Sequence, residues 1–261
     1  MKMEFLNITA KDNKLIKKIK KLVSSASFRR EDNSFVLEGQ RLVFDAVKNG
    51  YLIDTLVVSE SYLKSAIDLD IVANQKVLLP DSLFKSLCDT VNPQGILCVA
   101  KMPDTVCDIE KIDKGKYIIL ENTQDPANLG AIARTAEALG LSGLIVSTNG
   151  CDPFSPKAQR AAMGALVRFP LYLSQDISAD IKSLQKKGFS VFASVVSDAD
   201  CNISDVSYDG SCAVIIGNEA NGVTEQLKSV ADKKITIPMG GRAESLNAAA
   251  AAAIIIWEMV K

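Results

Sequence analysis

From Lys116 to Thr236 the chain repeats one pattern. Short runs that are apolar at every position, such as "YIIL", "GLIV", "CAVII" and "ITI", are separated by segments of helical composition. A strand that alternates apolar and polar residues can leave one face in water, whereas a strand apolar throughout must be covered on both faces. Such strands, separated by helices, predict a parallel sheet with helices packed on either side. A shorter series precedes it: "SFVLEG" (34–39), "IDTLVVSE", "KVLLP" and "GILCVAKM" read as strands, and "QRLVFDAVKNG", "ESYLKSAI" and "DSLFKSLCD" as the intervening helices. The charged stretch 103–116 between the two series carries little apolar period and reads as a linker. The expected fold class is therefore α/β, with a small α/β/α domain over 1–102 and a parallel-sheet domain over 117–261. In the second domain "SPKAQRAAMGAL" is expected to form one helix and Glu244–Val260 the last one.

Composition removes several classes of function. The longest apolar run, Ala248–Trp257, is far short of the ~20 residues that span a bilayer. The start of the chain, 1–12, is mixed and polar and lacks the pattern of a signal peptide. The six Cys, at 88, 98, 107, 151, 201 and 212, show no C-x-x-C and no metal-ligand spacing. They read as reduced thiols of a cytoplasmic protein, with no metal site. The chain has no His. That excludes Ser–His and Cys–His nucleophile pairs, imidazole acid–base chemistry and most zinc sites. An enzyme built this way transfers a group that is already activated, or works through carboxylate, Lys, Arg or backbone groups.

Charge is nearly balanced overall but not locally. Lys11, Lys14, Lys17, Lys18, Lys20, Lys21, Arg29 and Arg30 face a single acid, Asp12, over 11–30. Leu15, Ile16, Ile19, Leu22 and Val23 recur there at helical spacing, so the segment reads as an amphipathic helix with a basic face. It is either a solvated surface helix or a surface that tracks phosphates.

Ligands of parallel α/β sheets bind at the carboxyl ends of the strands, and three strand ends here carry unusual polar loops. In "LENTQDPANLGAIARTAEALG" (120–140), Asn128 sits where a helix begins, a position typical of an N-cap. Arg134 follows near the same helix face among Ile132, Ala133 and Ala136, where a guanidinium calls for an anionic partner. In "AVIIGNEANGVTEQL" (213–227) an apolar strand runs into Gly217, and Glu219 is the sole charge of the turn, whose two glycines allow positive φ and close backbone approach. This is neither a G-x-G-x-x-G nor a phosphate-binding P-loop. In "KITIPMGGRAESLN" (234–247) a strand ends before Pro238, and Glu244 or Ser245 can cap the helix that follows. That helix, rich in Ala and Ile, has no polar face and must be buried all round, against this chain or a second copy.

Taken in order, N-x-G-x-x-x-R-T-A after "NTQDP", then G-N-E-x-x-G, then I-P-M-x-G-x-x-x-S-L-N-x-A-x-A-A resemble the motif set of the SpoU-type RNA 2′-O-ribose methyltransferases of the SPOUT superfamily, over roughly 117–261. "FVLEGQRLVFDAV" is similar to the entry of the substrate-binding extension carried by two-domain members. The resemblance implies a trefoil knot in the second domain, S-adenosylmethionine bent within it, and a homodimer with the active site at the shared interface. It places cofactor binding at Gly217, Ile237, Met239, Ser245, Leu246 and Asn247. It places catalysis at Asn128, Arg134, Glu219, Ser245 and Asn247, with Arg134 either the base or a phosphate clamp. It implies RNA as partner, held through Lys17, Lys18, Lys20, Lys21, Arg29, Arg30 and Arg41. Large-subunit ribosomal RNA is favoured. A tRNA substrate, or a non-catalytic RNA-binding or assembly factor, are the alternatives. A sulfonium methyl is already activated, which suits a chain without His.

Overall fold

A computed structural model of the chain describes residues 5–65, 69–105 and 108–261. The chain divides into two compact units. The first holds residues 1–104 and 153–168, and the second 105–152 and 169–261. Cys107 lies outside the described residues, and the five described cysteines are free thiols.

The first unit is built on a five-stranded sheet of β1 (Leu6–Asn7), β2 (Ser34–Glu38), β3 (Ile53–Ser59), β4 (Gln75–Leu79) and β5 (Ile96–Lys101), in the order β1-β4-β3-β5-β2. The pairs β1–β4 and β3–β4 are parallel; β5 runs antiparallel to both β2 and β3. Alternate residues of these strands, including Val36, Val57, Val77, Leu97 and Val99, pack with Ile16, Ile19 and Leu22 of the helix Lys14–Ser24 and with Leu83 and Phe84. That helix carries lysines at 14, 17, 18, 20 and 21, whose like-charge i,i+3 and i,i+4 spacings cost only tenths of a kcal/mol each. Burial of each of its three aliphatic side chains returns about 1.5–3 kcal/mol, so packing wins over repulsion. Asn13 caps its start by accepting from Leu15 N at 2.8 Å.

In the second unit seven strands, all parallel, form one sheet: β6 (Lys116–Leu120), β7 (Gly143–Ser147), β8 (Leu171–Ser174), β9 (Ser190–Ser194), β10 (Cys201–Asn202), β11 (Cys212–Ile216) and β12 (Lys233–Thr236). Their order is β10-β12-β9-β11-β6-β7-β8. As the uninterrupted apolar runs require, Ile118, Ile119, Leu144, Ile145, Val214 and Ile215 are buried on both faces. The chain order turns at β6 and β11 in the middle of the sheet, and the loops that leave these two strands open on the same edge.

Four expectations change. The stretch 103–116 is not a free tether, because Ile109 and Ile112 belong to the core of the second unit and Lys187 Nζ donates to three carbonyls there, Ile109, Glu110 and Ile112. The helix expected over "SPKAQRAAMGAL" breaks in two, Pro156–Ala162 and Ala165–Arg168, where Met163 adopts a left-handed φ of 53°. This segment clusters with the first unit, through the Phe154–Phe35 ring contact at 5.0 Å and the Arg160–Asp89 and Arg168–Asp45 ion pairs. The last helix begins at Ala248, not Glu244, and Asn247 is its cap. Within this chain Ala252, Ile255, Ile256 and Met259 of that helix are buried, whereas Ile254 and Trp257 are 41% and 58% exposed, so full burial requires a second copy.

Candidate active site

The carboxyl ends of β6 and β11 and the loop after β12 meet through three side chains. Asp125, not Asn128, caps the helix Pro126–Ala138 by accepting from Ala127 N at 3.0 Å. Asn128 lies within the first turn of that helix, and both ends of its buried amide are engaged. Its Nδ2 donates to Glu219 Oε1 at 2.9 Å, and its Oδ1 accepts from Asn247 Nδ2 at 3.1 Å. Asn247 Oδ1 in turn accepts from Ala249 N and Ala250 N. Because helix N–H groups can only donate, Asn247 must turn its oxygen to the helix and its nitrogen to Asn128. Asn128 must then present its nitrogen to the carboxylate. The relay has one consistent orientation, fixed at one end by a helix terminus and at the other by an anion.

Glu219 is held from three directions. Besides Asn128, Gln124 N donates to Oε2 at 3.0 Å and Asp125 N to Oε1 at 3.2 Å. Partial burial pushes its carboxyl pKa up, but these hydrogen bonds outweigh it and hold the group below the usual glutamate range. An anion whose lone pairs are already filled is a poor proton acceptor at neutral pH, so Glu219 serves as a clamp between loops. Gly217 is needed for packing: a Cβ there would lie 2.1 Å from Gly222 C and 2.2 Å from Val223 N. Of the two loop glycines only Gly222 takes a positive φ, 67°.

Arg134 does not share the face of Asn128. Six residues of α-helix turn through about 600°, which leaves the two side chains a third of a turn apart. Arg134 is exposed and has no hydrogen-bond or ion-pair partner among the described residues. The anionic partner expected for it is not found among the described residues. In the third loop Ser245 is exposed and caps nothing, while Met239 and Leu246 are each 38% exposed. Ile237 is half-buried at the end of β12. The backbone of 238–246 makes no hydrogen bond among the described residues.

The basic surface of the first unit divides as well. Arg29 is buried and donates to Leu22 O at 2.6 Å and Val23 O at 3.2 Å, so it closes the end of the preceding helix and is not available to phosphate. Lys17 and Lys18 pair with Asp12 and Asp32. Arg41 stands near Asp45 at 3.9 Å, and Lys21 lies over the Phe28 ring. Lys20 and Arg30 are exposed with no ion pair among the described residues. Among those residues no group of three or more Cys, Asp or Glu side chains is placed to hold a metal, and no helix is long and apolar enough to cross a membrane.

Two contributions escaped the sequence reading: the backbone N–H groups of Gln124 and Asp125, and the side chains of Asn122, Ser147 and Asn218 that brace them. Backbone donors leave no mark in a sequence. An Asn two residues past the end of an apolar strand, as at 122, is a faint sign of the left-handed turn it adopts, with φ 52°.

A parallel sheet with its polar loops gathered at one edge, joined by an Asn–Glu–Asn relay and followed by a helix of small residues, is an α/β domain of the kind that binds ligands at its strand ends. Comparison with known proteins makes the class specific. The SpoU rRNA methylase family matches residues 115–257, and the MRM3-like substrate binding domain matches 13–98. The 23S rRNA (guanosine(2553)-2′-O)-methyltransferase RlmP of Bacillus subtilis is 31% identical over 254 residues, 97% of this chain and 98% of that protein. The 23S rRNA (uridine(2479)-2′-O)-methyltransferase of Streptomyces viridochromogenes is 28% identical, over 92% of this chain and 87% of its own. A crystal structure of an AdoMet-bound rRNA methyltransferase from Sinorhizobium meliloti superposes with a TM-score of 0.86 at 28% identity, over 98% of this chain and 97% of the other. The chain belongs to the SpoU rRNA methylase family.

Proposed function

We propose that this protein transfers a methyl group from S-adenosylmethionine to a ribose 2′-hydroxyl of large-subunit ribosomal RNA. The observation that carries the reading is the relay Glu219–Asn128–Asn247, which ties three strand-end loops into one site. The similarity to 23S rRNA 2′-O-methyltransferases along nearly the full length of both chains supports the choice of RNA.

The third loop suits the cofactor chemically. Its unpartnered peptide groups can satisfy the polar edge of an adenine and an amino-acid tail, and Met239 and Leu246 can cover an apolar ring. Gly217, Ile237, Met239, Ser245, Leu246 and Asn247 would hold it. The bound cofactor would supply a methyl already activated on sulfur, which leaves the protein to orient the ribose hydroxyl while its proton passes to solvent water as the C–O bond forms and the C–S bond breaks. Asn128, Glu219 and Asn247 fix the loops. Arg134, without a polar partner among the described residues, grips an RNA phosphate bidentately and offsets charge near the ribose oxygen. Its planar fork of N–H donors matches a phosphate, so its contribution is electrostatic.

The apolar stripe of Ile254 and Trp257 on the last helix is the surface through which two copies pair, and the chain end is threaded as a knot. Lys17, Lys18, Lys20, Lys21, Arg30 and Arg41 contribute phosphate contacts, and a ribosomal RNA substrate makes the protein cytoplasmic. The direct test is transfer of labelled methyl from S-adenosylmethionine to 23S rRNA and to bulk tRNA, with the modified position mapped in cells with and without the protein. Label on 23S ribose is expected. Label on tRNA alone changes the substrate, and RNA binding without label in either makes the chain a non-catalytic factor.

A further inference from the structure

Glu219 can clamp Asn128 only if the turn that carries it is held against the turn that supplies its backbone donors, and one side chain spans that gap. Asn218 Nδ2 donates to Asn122 O at 2.9 Å, while Asn218 Oδ1 accepts from Ala220 N and Asn221 N at 3.0 and 3.2 Å. Its own backbone closes the turn through paired bonds with Gly222, N to O at 3.0 Å and O to N at 2.9 Å. The Asn122 carbonyl is itself aimed. The left-handed φ of Asn122 is braced by Ser147 Oγ, which donates to Asn122 Oδ1 at 2.7 Å from the end of the neighbouring strand. Gln124 Nε2 reaches the same carbonyl at 3.1 Å. The residue immediately before Glu219 is therefore bonded to the residue two before Gln124, whose N–H holds the Glu219 carboxylate.

We infer that Asn218 is a positioning residue of the methyl-transfer site: its amide sets the distance between the Glu219 turn and the 122–125 turn, and so holds the carboxylate under its three donors. This rests on the function proposed above but makes a separate claim, that Asn218 acts through Glu219. The other half of its amide only shapes the turn, so the two roles can be separated. Serine keeps an oxygen for Ala220 N and Asn221 N but is too short to reach Asn122.

The test uses the full-length protein with N218A and N218S, each alone and combined with E219Q. Two readouts are taken: turnover with saturating S-adenosylmethionine and 23S rRNA, and titration of the Glu219 carboxyl followed by carbon NMR. The expected result is a fall in kcat of about tenfold or more in both variants, with little change in cofactor binding. The Glu219 carboxyl pKa should move up toward the ordinary range, and Asn218 substitution should cost almost nothing further in the E219Q background. Should N218A fail to fold, N218S carries the test. Equal losses with and without E219Q, or a Glu219 titration unchanged in N218S, would overturn the inference. The titration stands whether or not the wild-type protein methylates 23S rRNA, so failure of the proposed activity is distinguishable from failure of this claim.

Discussion

At the scale of single residues, Arg134 and Glu219 are polar groups in opposite circumstances. Arg134 is exposed and has no hydrogen-bond or ion-pair partner among the described residues, so its removal should leave the fold alone. R134A is expected to keep the wild-type Tm and to bind S-adenosylmethionine normally while losing methyl transfer; full turnover in that variant would exclude Arg134 from the reaction. Glu219 contributes to both fold and site. Its folded carboxyl lies below the ordinary range, so its stabilising effect is complete above the unfolded value near 4.5 and is lost as pH falls through the folded one. Gln at 219 does not titrate, and its amide nitrogen faces donors that need an acceptor. Urea denaturation at a series of pH values should show a gap between wild type and E219Q that is constant from pH 7 to about 5.5 and narrows below about 4.5. A gap that widens with acid contradicts this account of the clamp.

Elements show how one helix can serve two purposes. The helix Lys14–Ser24 buries one face for the core and leaves lysines on the other, and Arg29 closes its end from the following helix. R29A should therefore cost stability, about 1–3 kcal/mol for the carbonyls left unpaired, whereas the pair K20E and K21E should cost less, about 1 kcal/mol for the Lys21–Phe28 contact and the charge at the helix end. The same pair should weaken RNA binding and flatten its dependence on salt, since each lost phosphate contact lowers the slope by about one. Filter binding across a salt series checks this, and an unchanged slope returns the helix to a purely solvated role. The final helix is the second case. Charge at its exposed apolar stripe, as in I254E and W257E, should convert a dimer to monomers in sedimentation without unfolding the chain. A wild-type protein that sediments as a monomer removes that surface from assembly.

On the scale of the whole molecule, the chain does not divide at one point. Residues 153–168 leave the second unit after β7 and supply Phe154, Ala158, Leu166 and Val167 to buried positions associated with the first. A chain cut between Asp104 and Thr105 should therefore aggregate, because that segment loses its cover. Replacing 153–168 in the cut chain by a short polar linker should restore solubility, measured by light scattering. A clean monodisperse fragment with the segment intact would contradict the burial argument.

Much of this was legible in the residues alone. Apolar runs without alternation specify strands covered on both faces, and their spacing by helices specifies a parallel sheet. The strands β2 to β9, β11 and β12 follow from local chemistry that needs no partner to be read. The short edge strands β1 and β10 were not legible, because two residues carry no period. The ordered polar loops at 122–134, 217–222 and 237–247 marked the family and the candidate site. The sequence did not say which way Arg134 faces, that Arg29 is buried, that Asp125 and Asn247 do the capping, or that 153–168 belongs with the first unit. Those outcomes depend on which residues far apart in the chain come within hydrogen-bonding or packing distance. Periodicity reports the environment a segment requires, whereas only the folded chain decides which neighbours meet that requirement.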